Sequence, residues 1–568
     1  MSNQAETWET QHQLGDSLFQ QGLFEQAVIA YGDAIALNPD IFWSYHKLGD
    51  TFVKLQQWEN AILVYRKAIE LNPTFTWSYS CLGNVLSQQG CWNDAILAYN
   101  QAIKLEPNQG WFHKFLGDAF QNIGQYQDAI ACYQTAIQLQ PDLCWFYAGL
   151  GQTLIKQQQW EDAIAPLIEA LKIRPDYLEI YDNIATIFQK QGQQDWANIC
   201  LKYKKLPESI IQKYCQLNPD SIITSDLDNN TINISLYPSH SINLLPSRTS
   251  NNQIILPAHI IDVPKAYVAI VTEGCAWGDA LNSAIFTSEN KLITNISTGC
   301  PQLIHSSDKL PLPQLIEDTV AFLSVRWGQW NYFHWMFDLV TRIHLLQKSG
   351  INFDSINKFV VNSLEYSYQR ETLETLGIPQ NKIIESRTFP HIKAQKLLVP
   401  SLPHPSAYRK AKWACDFLQK SFVPSTVSST NTKPERIYIS RKNASYRRVI
   451  NEPEILNFLA PLGFKSIILE TMSVVQQATL FAIARVIIAP HGAGLTNLVF
   501  CQKETKFIEI FSPFYVVEDF LILASVSGLQ HYSLIGEILA DDPAIPANCQ
   551  DIFVNLEQLK QLIQLAGV

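Results

Sequence analysis

Small and apolar positions recur at a fixed interval through the first two hundred residues. Gly15, Gly49, Gly83, Gly117 and Gly151 stand 34 residues apart, as do Ala27, Ala61, Ala95, Ala129 and Ala163. The same interval separates Ala34, Ala68, Ala102, Ala136 and Ala170, and Pro39, Pro73, Pro107, Pro141 and Pro175 close each unit. A period of this length marks one supersecondary unit stacked on copies of itself. The pattern predicts a helical hairpin. Small residues sit where two helices cross closely, Tyr31, Tyr65, Tyr99 and Tyr133 fill the space beside them, and proline ends the second helix. A sixth, degraded unit starts at Tyr177, keeping Ala197 but losing the glycine and the proline.

The periodicity resembles that of tetratricopeptide repeats and predicts an all-α solenoid over residues 7–210. Trp43, Trp77, Trp111 and Trp145 recur at the second position of the first helix in four units. In such repeats that helix face lines the concave groove, so the resemblance implies an aromatic ladder for a peptide or protein partner, or for a sugar chain. Asp50, Asn84, Asp118 and Gln152 follow seven residues later and add hydrogen-bonding groups beside the rings. The alternative is that each tryptophan only seals the packing between neighbouring hairpins.

The pattern then changes. Residues 211–255 are rich in Asn, Ser and Pro and read as a linker or irregular entry segment. They contain Asp226 and Asp228, a pair read as solvated turn carboxylates, so no metal is expected. Residues 256–423 alternate strand-like runs such as Ala266–Val271 and Lys358–Val361 with helical ones. A Ser/Thr/Pro joint at 424–434 precedes a cleaner alternation over 435–568. There Arg436–Ser440, Phe464–Leu469, Val486–Ala489 and Phe507–Ile510 are predicted strands. Strands alternating with helices predict parallel sheets in two α/β lobes, with a cleft at the strands' carboxyl ends.

Composition narrows the function. The 568 residues carry 42 Lys+Arg against 52 Asp+Glu, a net charge of −10 that disfavours broad nucleic-acid binding. The 11 cysteines are scattered without a C-x-x-C pair and read as reduced thiols. No apolar run approaches the length of a membrane span, and the first residues lack the basic and apolar regions of a signal peptide. The expectation is a soluble, cytoplasmic protein with no transmembrane segment.

Three segments of the α/β half can carry chemistry. Pro490-His-Gly-Ala-Gly-Leu-Thr-Asn497 follows a buried strand and opens a helix. Its glycines admit a ligand to the backbone, and N–H groups at a helix start favour a phosphate, although many such turns bind nothing. Arg441, Lys442, Arg447 and Arg448 cluster just past a strand end, either to hold a diphosphate without metal or as a solvated loop. In Trp330–Arg342, read as a helix, His334, Asp338 and Thr341 or Arg342 share a stripe among apolar residues. That stripe suits a general base with an orienting carboxylate, or a structural core pair.

In this order, the Phe-His-Trp helix, the Ile-Ser-Arg stretch and the His-Gly-Ala-Gly-Leu-Thr-Asn turn resemble glycosyltransferase family 61 over about residues 260–520. The resemblance implies a GT-B fold of two Rossmann lobes, an inverting mechanism and a nucleotide-sugar donor, usually UDP-linked. No cofactor is expected beyond that substrate. It places His491, Gly492, Ala493, Gly494 and Asn497 in the donor-site turn, Arg441 and Arg448 on the diphosphate, and Glu509 on the ribose hydroxyls. His334, with Asp338 beside it, is the candidate base. The expected function is metal-independent sugar transfer to a glycan or protein acceptor recruited by the repeats. The alternative is a scaffold whose transferase domain is inactive.

Overall fold

The computed structural model describes residues 7–215, 221–223, 231–249, 255–402, 410–425, 434–538 and 549–568. These fall into two compact units, one within 1–216 with 307–310, the other within 217–306 and 311–568. Asp226, Asp228 and most of the 424–434 joint lie outside the described residues.

The first unit is the predicted stack of helical hairpins, for example Phe42–Lys54 with Trp58–Leu71 and Thr76–Gln88 with Trp92–Leu105. The recurring glycine is set by sterics. A Cβ at Gly49 would stand 2.5 Å from the Tyr65 ring, and one at Gly83 would stand 2.5 Å from that of Tyr99. Each ring is buried, and its hydroxyl is tied back to the first helix. Tyr65 donates to Asp50 Oδ1 at 2.8 Å, and Tyr99 donates to Asn84 Oδ1 at 2.8 Å. The 34-residue period thus encodes both the close crossing and the polar anchor of the residue that fills it. After the degraded unit the helix Glu208–Cys215 continues the unit past residue 210.

Among the described residues the second unit contains three sheets, of ten, five and two strands. In the first lobe the strands are β1 (Ile222–Ile223), β2 (Thr231–Tyr237), β3 (His240–Asn243), β4 (Ile260–Val263), β5 (Ala266–Thr272) and β6 (Cys275–Gly278). They continue with β7 (Ser283–Phe286), β8 (Leu292–Ile293), β9 (Gln314–Phe322), β10 (Lys358–Val361), β11 (Ile383–Glu385) and β12 (His391–Pro400). The main sheet runs β1-β8-β7-β6-β12-β9-β10-β11, with β5 paired to β12 and β2. It is mixed, which departs from the parallel sheet expected. β9 lies parallel to β10 and β12, but β12 is antiparallel to β5 and β6. The 211–255 segment is likewise more than a linker, since β2 and β3 lie in it and Arg248 bridges to Tyr532.

The second lobe has β13 (Arg436–Ile439), β14 (Lys465–Ile467), β15 (Val486–Pro490), β16 (Lys506–Phe511) and β17 (Gln530–Ile535). All pairs are parallel, in the order β14-β13-β15-β16-β17. This is a doubly wound order whose direction reverses between β13 and β15. Crossover helices leave opposite faces there, opening a crevice at the carboxyl ends of those two strands.

The lobes share one apolar core. Ala321, Phe337 and Leu398 of the first lobe belong to the same buried cluster as Ile437, Ile487 and Leu498 of the second. A carboxylate strengthens the join. Glu371 accepts from Val474 N at 2.8 Å and Val475 N at 3.1 Å, capping the helix Val474–Ile483 across the seam.

Candidate active site

A cavity of about 340 Å³ opens at the reversal point, and its lining includes Tyr332, Arg441, Glu470, Gly492, Ala493 and Gly494. β13 delivers Arg441, and β15 delivers the glycine turn. The turn continues into a tight helical stretch, Ala493–Phe500. Gly492 is required by contact. A Cβ there would lie 1.9 Å from Arg441 Nη1, so the guanidinium rests on the bare backbone of the turn. Arg441 Nη2 donates to Tyr446 O at 3.0 Å, while its Nε is buried without a hydrogen-bond partner among the described residues. Burial, assisted by the neighbouring Arg447 charge, pulls the Arg441 guanidinium below its ordinary pKa.

Arg448 does not join it. Its side chain, 53% exposed, grips Asp551 through Nε at 2.9 Å and Nη2 at 2.7 Å. Arg447 takes a left-handed backbone at φ +55°; it does not line the cavity, but its charge acts on Arg441 and His491. Its guanidinium lies 4.6 Å from the Tyr515 ring centre, and its Nε and Nη1 are buried without partners among the described residues. Residue type and proximity to Arg441 made both arginines candidates, but the backbone turn that separates them leaves no mark in composition.

Two residues of the glycine-turn segment work from behind the cavity wall. Asn497 is fully buried: its Nδ2 donates to Gln477 Oε1 at 2.7 Å and Gly494 O at 3.0 Å, and its Oδ1 accepts from Tyr332 at 3.1 Å. It holds the turn in shape and ties it to the first lobe. His491 is 5% exposed, its Nδ1 lying 2.6 Å from Glu509 Oε1. Burial, then the charges of Arg447 and Arg441, push its pKa well below the ordinary imidazole value.

Glu509 is not placed for a ribose. Its exposure is 0%, and its second oxygen lies 2.8 Å from His531 Nε2. Burial, with Asp519 adding to it, raises the Glu509 carboxyl well above the ordinary range, and burial pushes His531 down to about 3. The three form a buried imidazole–carboxyl–imidazole bridge across β15, β16 and β17. The register pairs Phe507 with His531, setting His531 diagonally beside Glu509 on one sheet face. Glu509, inside the otherwise apolar run Phe507–Phe511, was the available sign of this pairing.

The His334 segment is a helix, but not a uniform one. Asn331 caps it, accepting from Phe333 N at 3.0 Å and His334 N at 3.4 Å. Tyr332–His334 is α-helical, Trp335–Val340 widens into a π turn, and Thr341–Lys348 is α-helical again. Such wide turns are rare and concentrate at functional sites. His334 Nδ1 lies 2.7 Å from Asp338 Oδ2, and Lys410 Nζ lies 3.8 Å from Asp338 Oδ1. Burial works to raise the Asp338 carboxyl, but Lys410, His334 and Arg342 together hold it below its ordinary value. The imidazole packs 4.9 Å from the Trp327 ring, and Trp327 itself has a left-handed backbone at φ +62°. His334 Nε2 has no hydrogen-bond partner among the described residues.

Two expectations for this helix need correction. Arg342 is 2% exposed and does not extend the polar stripe. Its guanidinium donates to Pro400 O, Leu323 O and Phe322 O at 2.8, 3.0 and 3.1 Å, fastening the helix to the ends of β12 and β9. His334 does not line the 340 Å³ cavity, whereas Tyr332 does. Two residues apart on a helix point to opposite sides, so Tyr332 takes the cavity face and His334 the other.

The tryptophan ladder also differs from expectation. A cavity of about 770 Å³ in the repeat unit is lined by Asp50, Tyr65, Asn84, Tyr99 and Asp118, but by none of Trp43, Trp77, Trp111 and Trp145. Each tryptophan instead meets an aromatic ring of the following repeat edge-on. The ring centres of Trp43–Phe75, Trp77–Phe112, Trp111–Phe146 and Trp145–Tyr177 are 5.0, 5.3, 5.2 and 5.1 Å apart. Trp77 remains 44% exposed, so the rings seal the hairpin junctions with one face still open.

Comparison with known proteins places these features. The family model for glycosyltransferase 61 matches residues 332–508, from the His334 helix through the glycine turn to β16. The TPR repeat model matches residues 15–56, 49–90, 83–124, 117–158 and 151–192. The chain therefore carries a tetratricopeptide-repeat array and a glycosyltransferase 61 domain.

Among solved structures it is similar to MamA from Desulfovibrio magneticus RS-1, at 16% identity over 30% of this chain and 96% of that one, with a TM-score of 0.29. It is also similar to YrrB, described as a TPR protein with an unusual peptide-binding site, at 18% identity over 34% and 93% with a TM-score of 0.27. Pseudomonas aeruginosa pilF gives 16% identity over 37% and 92%, with a TM-score of 0.31. No curated protein matches the chain. Among the described residues, no helix is long and apolar enough to cross a membrane.

Proposed function

We propose that the protein is an inverting glycosyltransferase of GT-B type. It moves a sugar from a nucleotide-sugar donor, a UDP-sugar, to a glycan or protein acceptor recruited by the repeats. The observation that carries this reading is unmet hydrogen-bonding capacity beside the glycine turn. Arg441 Nε and Arg447 Nε and Nη1 are buried without partners among the described residues. A buried donor left unsatisfied costs about 1–3 kcal/mol, and diphosphate oxygens relieve that cost. The leaving nucleoside diphosphate gathers negative charge as its bond to the anomeric carbon breaks. Arg441, Arg447 and the N–H groups following Gly492 meet that charge where other transferases use a cation, so transfer is metal-independent. Glu470, on the cavity wall, replaces Glu509 as the partner of the ribose hydroxyls.

His334 serves as the general base. Asp338 holds Nδ1, which keeps the Nε2 lone pair available to take the proton of an acceptor hydroxyl as that oxygen attacks the anomeric carbon. For this the sugar of the donor must extend out of the 340 Å³ cavity, past Tyr332, to the Trp327 side of the helix, where the acceptor hydroxyl meets His334.

The test pairs two measurements on the full-length protein: calorimetry with UDP, and a nucleotide-sugar hydrolysis and transfer screen with and without a chelator. His334→Ala should retain UDP affinity and lose about 10²–10⁴-fold in transfer rate. Equal transfer by His334→Ala would remove the base assignment. The scaffold reading is favoured by one observation, the absence of His334 from the cavity lining. UDP binding with no turnover of any nucleotide sugar would decide for it.

A further inference from the structure

Outside the α/β unit, three side chains of metal-ligating type converge between the second and third repeats. His46 and Asp50 lie one turn apart on the helix Phe42–Lys54, and Cys81 lies on the helix Thr76–Gln88. Their ligand atoms all fall within 4.8 Å of one another, and no other three His, Cys, Asp or Glu among the described residues do so. We propose that His46, Asp50 and Cys81 form a binding site for a borderline-soft divalent transition metal, zinc being the natural occupant.

The surrounding groups orient each ligand. His46 Nδ1 lies 3.1 Å from Ser78 Oγ, and with its N–H donated there the Nε2 lone pair faces the cluster, 3.7 Å from Asp50 Oδ2. Tyr65 donates to Asp50 Oδ1 at 2.8 Å, fixing one carboxylate oxygen and leaving the other toward the cluster. Ligands on a tetrahedral zinc, with bonds of about 2.0–2.3 Å, stand about 3.3–3.7 Å apart. Closing the cluster onto an ion therefore takes about 1 Å of side-chain adjustment. The fourth position opens onto the 770 Å³ cavity, whose lining includes Asp50, Cys81 and Asn84, so water or a partner's side chain completes the shell.

Charge sets the conditions. Cys81 binds as the thiolate, so its proton is displaced to solvent when the ion enters. Lys47 Nζ lies 3.4 Å from Asp50 Oδ2 and must swing away, for which its 31% exposed side chain has room. The neighbouring junction is a natural control. There His12 Nδ1 meets Ser44 Oγ at 3.0 Å and Tyr31 donates to Asp16 Oδ1 at 2.6 Å, but Lys47 stands one period before Cys81. The histidine–carboxylate frame recurs, whereas the thiol is added at one junction.

The experiment is a Co(II) titration of the full chain after chelator treatment, read by visible and near-ultraviolet absorption and followed by Zn(II) displacement. One equivalent should produce a thiolate-to-cobalt charge-transfer band and tetrahedral d–d bands that zinc abolishes. Cys81→Ser should lose the charge-transfer band, and His46→Gln should bind at least about tenfold more weakly while keeping it. Circular dichroism verifies that the repeats remain helical in each variant. If Cys81→Ser fails to fold, Asp50→Asn carries the test, and unchanged cobalt affinity there overturns the proposal. Absence of a thiolate band in the wild-type protein, or its persistence in folded Cys81→Ser, also overturns it.

Discussion

Adding a single methyl group at Gly492 separates the stability of the glycine turn from its proposed role. The backbone there is extended, with φ 171°, so alanine meets no conformational strain. Its Cβ would lie 1.9 Å from Arg441 Nη1, and the guanidinium is the movable end of a flexible side chain. Gly492→Ala should therefore fold with little loss of stability and expel Arg441 from its seat on the turn. If that guanidinium makes charge-assisted hydrogen bonds to the donor diphosphate, worth about 1.5–3 kcal/mol, UDP affinity falls roughly 10- to 150-fold. Calorimetry on Gly492→Ala, Arg441→Ala and the double variant measures this. Because both single changes act through one group, the double variant should bind nearly as the weaker single one does, with a large coupling energy. Wild-type affinity in Gly492→Ala, or strictly additive losses, would refute the link between the turn and the arginine.

Arg447→Ala should weaken UDP binding about tenfold or more, while Arg448→Ala, whose partner is the surface carboxylate of Asp551, should leave it within about twofold, as titration of each variant would show. Asp338 is held below its ordinary carboxyl value, so its contribution to stability is complete above that value and is lost as pH falls through the lower, folded-state pKa. Urea unfolding of the α/β unit should accordingly weaken more steeply from pH 5 to pH 3 in the wild type than in Asp338→Asn, and parallel profiles would contradict this. Gly49→Ala places a carbon 2.5 Å from the buried Tyr65 ring and should destabilise the repeats by about 1–3 kcal/mol in thermal unfolding.

The repeats and the second lobe could be read from sequence because their determinants are local. Each hairpin packs on its neighbours in the chain, and the parallel strands β13, β15 and β16 are short apolar runs bounded by clear helix signals such as the Ser473 capping box. The first lobe is built otherwise. β5 pairs with β12 across more than a hundred residues, and four-residue strands such as β6 and β7 carry too little pattern to show their direction. At the site, residue types pointed to loops that meet at the cavity but did not tell which of their side chains reach it. Arg447 and Arg448 are adjacent, and only a left-handed backbone turn distinguishes them. Glu509 looked available at a strand end until His531, from a neighbouring strand, proved to occupy its second oxygen. His334 and Tyr332 both lie in the recognised motif, yet helix geometry gives the cavity to Tyr332.

The wide turn at Trp335–Val340 bears on how this helix can change. Inserting one residue into a helix rotates everything beyond it by about 100° relative to an unbroken α-helix. Arg342, just past the bulge, reaches the ends of two strands from that rotated position. No point substitution can supply or remove such an offset; only gain or loss of a codon can. Variation by substitution alone should therefore leave the helix phase untouched, and a one-residue deletion between 335 and 340 should unseat the arginine anchor even if every named side chain is retained.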